Sequence, residues 1–446
     1  MKRITMLVLL VALVRLSLLA QDKLWTLREC CDYAVEHNIS IKQQENACRQ
    51  QELQLSTAKN SRLPDLSASA GQNFSFGRGL TAANTYTNTN TSSTSFSLGT
   101  SMPIFTGFQI PNQIKLNQLN LEAATADLEK AKDDIRMQVA QAYVQILYDM
   151  EIADVAHRQI DIDSAQVVRL QAFVDNGKAA EAELSQQRAT LANSRLTATQ
   201  ADNNTRLAIL SLTQLLELPT PDGFAIIRPD TAAANSSLFI LHSSLPSPDA
   251  IYAEALGIKP EIAAQQLRLK GTEHNIKIAQ AGNLPSLSLS GGLGTNYYTT
   301  SGFKSDGFAT QLKNNFSQYI GLNLSIPIFN RFQTRNNIRS ARIEQENQQL
   351  QLDNTKKTLY KEIQQVYYNA LNAQSKEKSS EEALQSTKDA FQLMQAKYEN
   401  GKATITEFNE AKNTYLRAES DLVQARYENL YQQALIEFYR GKDLSF

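Results

Sequence analysis

The chain has 446 residues, of which 20% are charged, and its net charge is -1 at pH 7. This length allows two or more ordinary domains. The near-neutral charge gives no support to a nucleic-acid partner, which would need a basic surface. The cysteines, Cys30, Cys31 and Cys48, have no histidine at metal-ligand spacing beside them. We therefore expect neither a metal site nor a cofactor.

The first 20 residues have the pattern of an export signal. Lys2 and Arg3 precede an apolar run at residues 4–14, and Ala20 is a suitable last residue before cleavage. We expect a signal peptide at residues 1–20. Arg15 interrupts the apolar stretch, so an uncleaved anchor is the alternative. No later apolar run approaches the ~18 residues of a membrane helix.

Two copies of one sequence plan follow the signal. Leu-Pro-x-Leu-Ser occurs at residues 63–67 and 284–288, and Asn-Gly-Lys-Ala occurs at 176–179 and 400–403. The second pair has an offset of 224 (400 minus 176), and further residue matches keep that offset. Because this span is far longer than a solenoid repeat, we interpret it as a gene duplication. The predicted division is a first repeat at 21–218, a linker or insertion at 219–247 and a second repeat at 248–446.

Each repeat begins with a helix, roughly at 27–62 and 247–283, and continues with two segments in which every second residue is apolar. Leu322, Leu324 and Ile326 show this alternation, which is typical of a strand with one apolar face. The predicted strands lie at about 65–79, 94–105, 286–298 and 317–329. Transmembrane strands need ~9–11 residues, which these segments provide. The connecting segments at 81–94 and 299–315 are rich in Asn, Thr and Ser and suit exposed tips.

Each repeat ends with a long helical hairpin, predicted at 108–217 and 332–440. Ile114, Leu121, Leu128 and Ile135 recur every seven residues, which predicts helices that coil around neighbours. The dipeptides Asn176-Gly177 and Asn400-Gly401 provide the left-handed cap that ends a helix and turns the chain. We expect these two turns at the hairpin tips.

Four strands cannot close a membrane barrel, because known barrels begin at about eight. Open sheet edges are not tolerated in lipid. If these strands span a membrane, several chains must therefore share one barrel, and twelve strands from three chains is the simplest count beyond the minimum. The predicted fold class is mostly α with a transmembrane β part.

Two tandem copies of helix, strand pair and long helical hairpin resemble the TolC-like outer-membrane efflux protein family over nearly the whole mature chain. The specific marks are Pro64 and Pro285 at the strand entries, the Pro-Ile-Phe motifs at 103–105 and 327–329, and the Asn-Gly turns. The segments 106–108 and 330–332 depart from the glycine pair that the family often has after a strand.

The resemblance implies a trimeric duct that joins a β-barrel in the outer membrane to an α-barrel in the periplasm. Its expected partners are two further chains of the same kind, outer-membrane lipid, a periplasmic adaptor and an inner-membrane transporter. The implied function is the exit duct of a tripartite efflux or type I secretion system. Such a duct is not an enzyme.

The resemblance also assigns a gate at the hairpin tips. Glu407 and Glu410 match two acidic positions that ring the closed entrance in relatives, and Tyr398 matches a gate tyrosine. Ala403 stands where those relatives carry an arginine. Three chains would bring six carboxylates to one axis, which would favour cations.

Ordinary structural roles are the alternative for the same residues. Thr404 and Glu407 fit a capping box, and Tyr398 could simply pack between helices. Glu183 is the repeat partner of Glu407 but has Ala180 in the place of Thr404, so capping cannot explain it. We therefore include Glu183 among the candidate gate residues.

Two other classes of protein are weighed against a duct. The four histidines are scattered, and no Gly-x-Ser-x-Gly, Walker or Rossmann glycine motif stands at a strand–helix junction. An enzyme is therefore disfavoured. A secreted coiled-coil rod or adhesin would explain the heptads but not the paired alternating segments or the duplication.

Overall fold

The computed structural model describes residues 24–80, 84–228 and 245–444. The predicted signal peptide at 1–20 lies outside these residues, as does part of the predicted linker. The described chain divides into two compact units. We call residues 46–125 and 263–353 the strand unit, and residues 24–45, 126–262 and 354–444 the helical unit. Each unit takes segments from both sequence repeats.

The strand unit contains one antiparallel sheet of four strands, which lie side by side in the order in which they occur in the chain. Its members are β2 (Asp65–Leu80), β3 (Tyr86–Thr106), β5 (Ser286–Thr300) and β6 (Ser317–Ser325). The register runs without interruption from Asp65 opposite Ser101 to Leu80 opposite Tyr86. β2 and β6 are the outer strands of this sheet, so each has one edge that is not paired by another described strand.

The two faces of the sheet differ in polarity. Leu98 lies opposite both Ala68 and Leu293, and the same face continues through other apolar side chains: Leu66, Phe74, Phe76, Phe96, Met102, Leu289, Ile320, Leu322 and Leu324. The opposite face is lined mainly by serine, glycine and asparagine, and Ser69 hydrogen-bonds to Ser97 there at 2.7 Å. One face of the sheet therefore suits an apolar environment and the other suits water.

Two strand boundaries differ from the sequence prediction. β3 begins at Tyr86 rather than near residue 94, because the Thr- and Asn-rich segment pairs with β2 along its whole length; threonine is a good strand former. β6 ends at Ser325 rather than near 329, two residues before Pro327. Proline has no N–H group to extend a ladder.

The segment predicted as a loop at 299–315 contains a short helix that closes one sheet edge. This helix, α7 (Phe308–Asn314), lies between β5 and the start of β6 in the chain. Its buried Gln311 accepts a hydrogen bond from the Tyr298 N–H group at 3.0 Å and donates one to the Tyr298 carbonyl at 3.0 Å. β6 pairs with β5 only as far as Gly294. The Gln311 side-chain amide thus replaces a strand partner for the end of β5 around Tyr298.

Replacing Gln311 by alanine should expose this edge to solvent. Each lost hydrogen bond removes about 1 kcal/mol of local stability, so amide exchange at Tyr298 should accelerate. Hydrogen-exchange mass spectrometry measures this, with Gln318→Ala on the exposed surface of β6 as the control. Unchanged exchange in the Gln311 variant would show that the helix does not hold the edge.

The helix predicted in front of each strand pair is two helices in the structure. In the first repeat these are α1 (Leu27–His37) and α2 (Ile39–Asn60), and in the second α5 (Pro248–Ile258) and α6 (Pro260–Ala281). Asn38 separates the first pair and donates to the Leu215 carbonyl at 3.0 Å. Lys259 separates the second pair and has an extended backbone, because the residue before a proline, here Pro260, is disfavoured in helical geometry.

The long hairpins repeat with the offset found in the sequence. The first consists of α3 (Gln109–Asp175) and α4 (Glu181–Leu215), and the second of α8 (Gln333–Glu399) and α9 (Ile405–Tyr439). The first helix of each hairpin has 67 residues and the second has 35, and each begins 224 residues after its counterpart (333 against 109, 405 against 181). Within the described chain, no helix has the length and apolarity that a membrane crossing requires.

The main apolar core of the helical unit lies around the first described residues, from Leu24 to Ala34. The short strands β1 (Leu24–Trp25) and β4 (Ala225–Ile226) pair in parallel beside it. Tyr143 of α3 is buried, and its hydroxyl donates to the Ile227 carbonyl at 2.8 Å. The surrounding side chains are apolar and buried: Leu27, Cys30, Ala34, Val139, Ile146, Leu147, Leu212 and Leu216. This packing fixes the middle of α3 against the end of α4.

Candidate functional site at the hairpin tips

Both hairpins turn at the predicted Asn-Gly pairs with the same geometry. Gly177 and Gly401 each have a φ of +69°, in the left-handed region. The Gly401 N–H donates to the Tyr398 carbonyl at 3.1 Å, and the Lys402 N–H donates to the Lys397 carbonyl at 2.8 Å. These two bonds form a Schellman motif. The first hairpin makes the corresponding bonds from Gly177 and Lys178.

The asparagine side chains strengthen these turns. The Asn176 amide donates to the Ala172 carbonyl at 2.7 Å, and the Asn400 amide donates to the Ala396 carbonyl at 2.8 Å. Each amide adds a side-chain hydrogen bond to a carbonyl of the last helical turn, and the Ala396 carbonyl also accepts from the Asn400 backbone N–H at 3.2 Å. The predicted tip residues are therefore structural caps in both hairpins.

Gly401→Ala should destabilise the second tip through backbone strain alone. Nothing lies within 4 Å of a Cβ at this position, so the cost is that of left-handed geometry, about 1–2 kcal/mol. Gly257→Ala is the matched control, because Gly257 also has open space around it but lies in helix α5; it should gain up to about 1 kcal/mol. Denaturation midpoints of the two variants should move in opposite directions, and a shared direction would contradict the strain argument.

Glu407 takes part in the capping box that was the structural alternative for it. Its carboxylate accepts from the Thr404 N–H at 2.7 Å, and its own N–H donates to the Thr404 hydroxyl at 3.3 Å. The hydrogen bonds from the Thr404 backbone and side chain lower the pKa of Glu407. The carboxylate is therefore held in its charged form at the start of α9, where the helix dipole also favours a negative charge.

Glu407 and Glu410 lie on one face of α9. They line a groove of about 260 Å³ together with side chains of α8 and α9: Thr387, Ala390, Met394, Ala411 and Thr414. The expected spacing of the two acids along one helix face is thus present. Their position toward a shared axis is not tested by a single chain and remains a prediction.

Glu183 is exposed in the first turn of α4. The N-cap of this helix is Ala180, which has no side-chain capping bond. Glu183 is therefore not held by the capping arrangement that holds Glu407. Its role in a gate likewise remains a prediction.

Tyr398 lies between the two hairpins. Its ring stacks on Phe408 with centroids 5.1 Å apart, and the Arg169 guanidinium of α3 lies 5.4 Å from the Tyr398 centroid. Arg169 also donates to the Glu399 carbonyl at 3.3 Å. Burial raises the pKa of Tyr398. Although Ala403 replaces the expected arginine, a cation therefore reaches this tyrosine from the first hairpin.

Sequence reasoning missed a buried ion pair behind the tips. Asp163 of α3 and Lys412 of α9 are both fully buried, and the Lys412 ammonium donates to an Asp163 carboxylate oxygen. Ser194 of α4 donates to the second oxygen at 2.6 Å, and Gln187 donates to the first at 3.2 Å. Three helices thus share one carboxylate.

A break in the repeat could have indicated this pair. At the offset of 224, Asp163 corresponds to Thr387, and Lys412 corresponds to Arg188. The aspartate thus occurs only in the first repeat, although the corresponding helix is present in each repeat. A charge that one copy of a duplicated helix has and the other lacks suggests a contact between the copies.

Comparison with known proteins decides the family. A sequence model described as "Outer membrane efflux protein" matches residues 31–217 and 251–440, once in each repeat. The chain belongs to the outer membrane efflux protein family. The predicted resemblance is confirmed, and the alternative of a secreted rod or adhesin has no support in these comparisons.

Two curated outer-membrane proteins are similar to this member of the family. One is "Pyoverdine export outer membrane protein OpmQ" of Pseudomonas putida, 24% identical over 326 residues, which cover 72% of this chain and 64% of that protein. The other is "Outer membrane protein TolC" of Escherichia coli, 24% identical over 398 residues, which cover 87% of this chain and 76% of that protein. The match to OpmQ therefore spans less than two thirds of its length.

The fold is also that of solved members of the family. The outer membrane protein VceC of Vibrio cholerae has a TM-score of 0.74 and 19% identity, with 94% of this chain and 97% of that chain covered. Both curated relatives are named for the outer membrane, and OpmQ is also named for pyoverdine export. Among the described residues, no group of three or more His, Cys, Asp or Glu side chains is arranged to hold a metal ion.

Proposed function

We propose that the protein is a trimeric exit duct in the outer membrane, through which solutes pass outward from a periplasmic adaptor and an inner-membrane transporter. The observation that carries this proposal is the four-stranded sheet with one apolar face and two outer strands, in a chain of the outer membrane efflux protein family. Lipid does not tolerate unpaired strand edges. Pairing of β2 with β6 of a neighbouring chain would remove them.

In this proposal three chains contribute twelve strands to one barrel, and their long helices form a second barrel in the periplasm. The two family matches within one chain support descent of its halves from a duplicated gene. The duct itself has no catalytic role. A duct of this kind would serve either a tripartite efflux system or a type I secretion system.

The proposed gate is formed by Glu407, Glu410 and Tyr398, with Glu183 as a further candidate. Two carboxylates on one face of α9 in each chain would give six around a threefold axis. Such a ring attracts cations and repels anions. The inter-hairpin contact of Arg169 with Tyr398 and Glu399 is partly exposed to solvent, so it is suited to a reversible closure.

The first test is the mass and shape of the detergent-extracted protein, measured by light scattering and negative-stain microscopy. A hollow, elongated particle with three times the mass of the mature chain is expected. A monomer or dimer that needs no detergent would overturn the shared barrel.

The gate is tested by replacing both acids in the variant Glu407→Gln/Glu410→Gln. We expect lower cation selectivity, read as a shift of the reversal potential across a planar bilayer in a KCl gradient. Glu344→Gln/Glu346→Gln is the matched control, because it removes the same charge from exposed positions near the start of α8, whereas the tip is at the other end of this helix. Equal reversal potentials for the two variants would show that the tip acids do not line the conducting path.

A further inference from the structure

The first three turns of α9 have two distinct faces. One face places Phe408 and Lys412, four residues apart, among the most deeply buried side chains of the described chain. The other face presents Glu407 and Glu410 to the groove beside α8. Because the two faces belong to one rigid helix, a contact that fixes the buried face also fixes the direction of the acids.

The buried face is held by a connected set of polar contacts. Asp163 receives hydrogen bonds from Lys412, from Ser194 and from Gln187. The carbonyl oxygen of the Gln187 side chain in turn accepts from the Asn409 amide at 3.2 Å. Two residues of α9 are therefore tied to two helices of the first hairpin through side chains of defined geometry.

An apolar contact alone would not fix the helix in this way. Hydrophobic packing is non-directional, and Phe408 could remain buried through a modest rotation of α9. A buried ion pair tolerates such movement poorly, because separation of Lys412 from Asp163 would leave two fully buried charges that no longer compensate each other. Rotation by one residue, about 100°, would separate Lys412 from Asp163 and would also turn the acids away from their groove.

The other contacts between the same helices are weaker candidates for this role. Arg158 of α3 pairs with Glu419 of α9 at 2.8 Å, but the arginine side chain is 52% exposed. Arg169 reaches the end of α8 rather than α9, and it too is accessible to solvent. The buried pair is therefore the contact that most strictly sets the rotation of α9.

We infer that Asp163 and Lys412 are positioning residues for the acidic ring, which hold α9 at the rotation and register that aim Glu407 and Glu410 at the conducting path. This inference rests on the proposed function.

The sign of a selectivity change tests this inference. Lys412→Met removes a positive charge, so electrostatics alone would make the duct more cation-selective. Misdirected acids would make it less cation-selective, with a reversal potential displaced toward that of Glu407→Gln/Glu410→Gln. Arg158→Met is the matched control, because it removes the same charge from a partly exposed ion pair on the same helix pair and should keep or raise cation selectivity.

Two further variants keep the test independent of folding. Asp163→Leu/Lys412→Met replaces the ion pair by apolar side chains of similar volume, which should restore packing but not the directional contact, so cation selectivity should recover in part only. Ser194→Ala removes one hydrogen bond to Asp163 and should shift the reversal potential in the same direction as Lys412→Met, by less. Each variant is first checked for assembly by light scattering.

The possible results separate the inference from the function on which it rests. If the wild-type protein forms no conducting particle, the proposed duct fails. If the wild type conducts and assembled Lys412→Met or Ser194→Ala has the selectivity of Arg158→Met, the duct stands and the positioning role is wrong.

Discussion

Replacing Lys412 by methionine should destabilise the folded chain by about 3–5 kcal/mol, because removal of one partner of a buried pair leaves an uncompensated charge. Asp163 would remain fully buried, with hydrogen bonds from Ser194 and Gln187 but without its cation. The transition midpoint in denaturant should fall at fixed protein and detergent concentration, and these must be held constant because oligomers unfold in a concentration-dependent way.

The double variant Asp163→Leu/Lys412→Met should recover most of this loss. Replacing both members of a buried ion pair by apolar residues is often neutral or stabilising. Arg158→Met is the control for the charge change, and its partly exposed pair should cost only about 0–1 kcal/mol. Equal losses for Lys412→Met and Arg158→Met would show that water reaches the buried pair after all.

Local sequence signals predicted the hairpins closely. The Asn-Gly pairs determine where α3 and α8 end, because glycine adopts the left-handed geometry that the turn requires at no steric cost. The two helix pairs keep the sequence offset of 224 at both their starting residues (333 against 109, 405 against 181). Alternation predicted four strands and their apolar face for the same reason, since a period of two residues is a property of a single strand.

Features that depend on distant contacts were not predictable from local sequence patterns. Asp163 and Lys412 are 249 residues apart, and neither is distinguishable from an ordinary surface charge in its own helix. The break at Asn38 depends on the Leu215 carbonyl, which is 177 residues away in sequence. The strand-like role of Gln311 requires a β5 that is longer than β6, and no local pattern near Gln311 contains that information.

Glu407 can serve both as a helix cap and as a gate residue. The sequence offered a capping box and a gate position as alternatives, and the structure contains the capping box. The box uses hydrogen bonds that keep the carboxylate charged, and a charged carboxylate is also what a cation-attracting ring needs. The cap therefore does not argue against the gate, and only a measurement on the assembled protein separates the two.

The largest effect on assembly is expected from Leu98→Arg. Leu98 lies near the middle of β3 on the apolar face, opposite Ala68 and Leu293. An arginine on a lipid-facing strand position costs about 2–4 kcal/mol at the membrane midplane, and a trimer would bear this cost in each of its chains. We expect the variant to be lost from the outer-membrane fraction, as measured by fractionation and by the yield of detergent-extracted trimer.

Ser97→Arg is the matched control, because Ser97 is the neighbouring residue on the polar face, where it hydrogen-bonds to Ser69. In a barrel this face meets water, so the arginine should be tolerated for assembly while it lowers cation selectivity in the lumen. If Ser97→Arg blocked assembly and Leu98→Arg did not, the polar face would be the one in lipid. If neither substitution mattered, the sheet would not lie in a membrane at all, and the shared barrel would lose its physical basis, because nothing but lipid forces the outer strands of separate chains to pair.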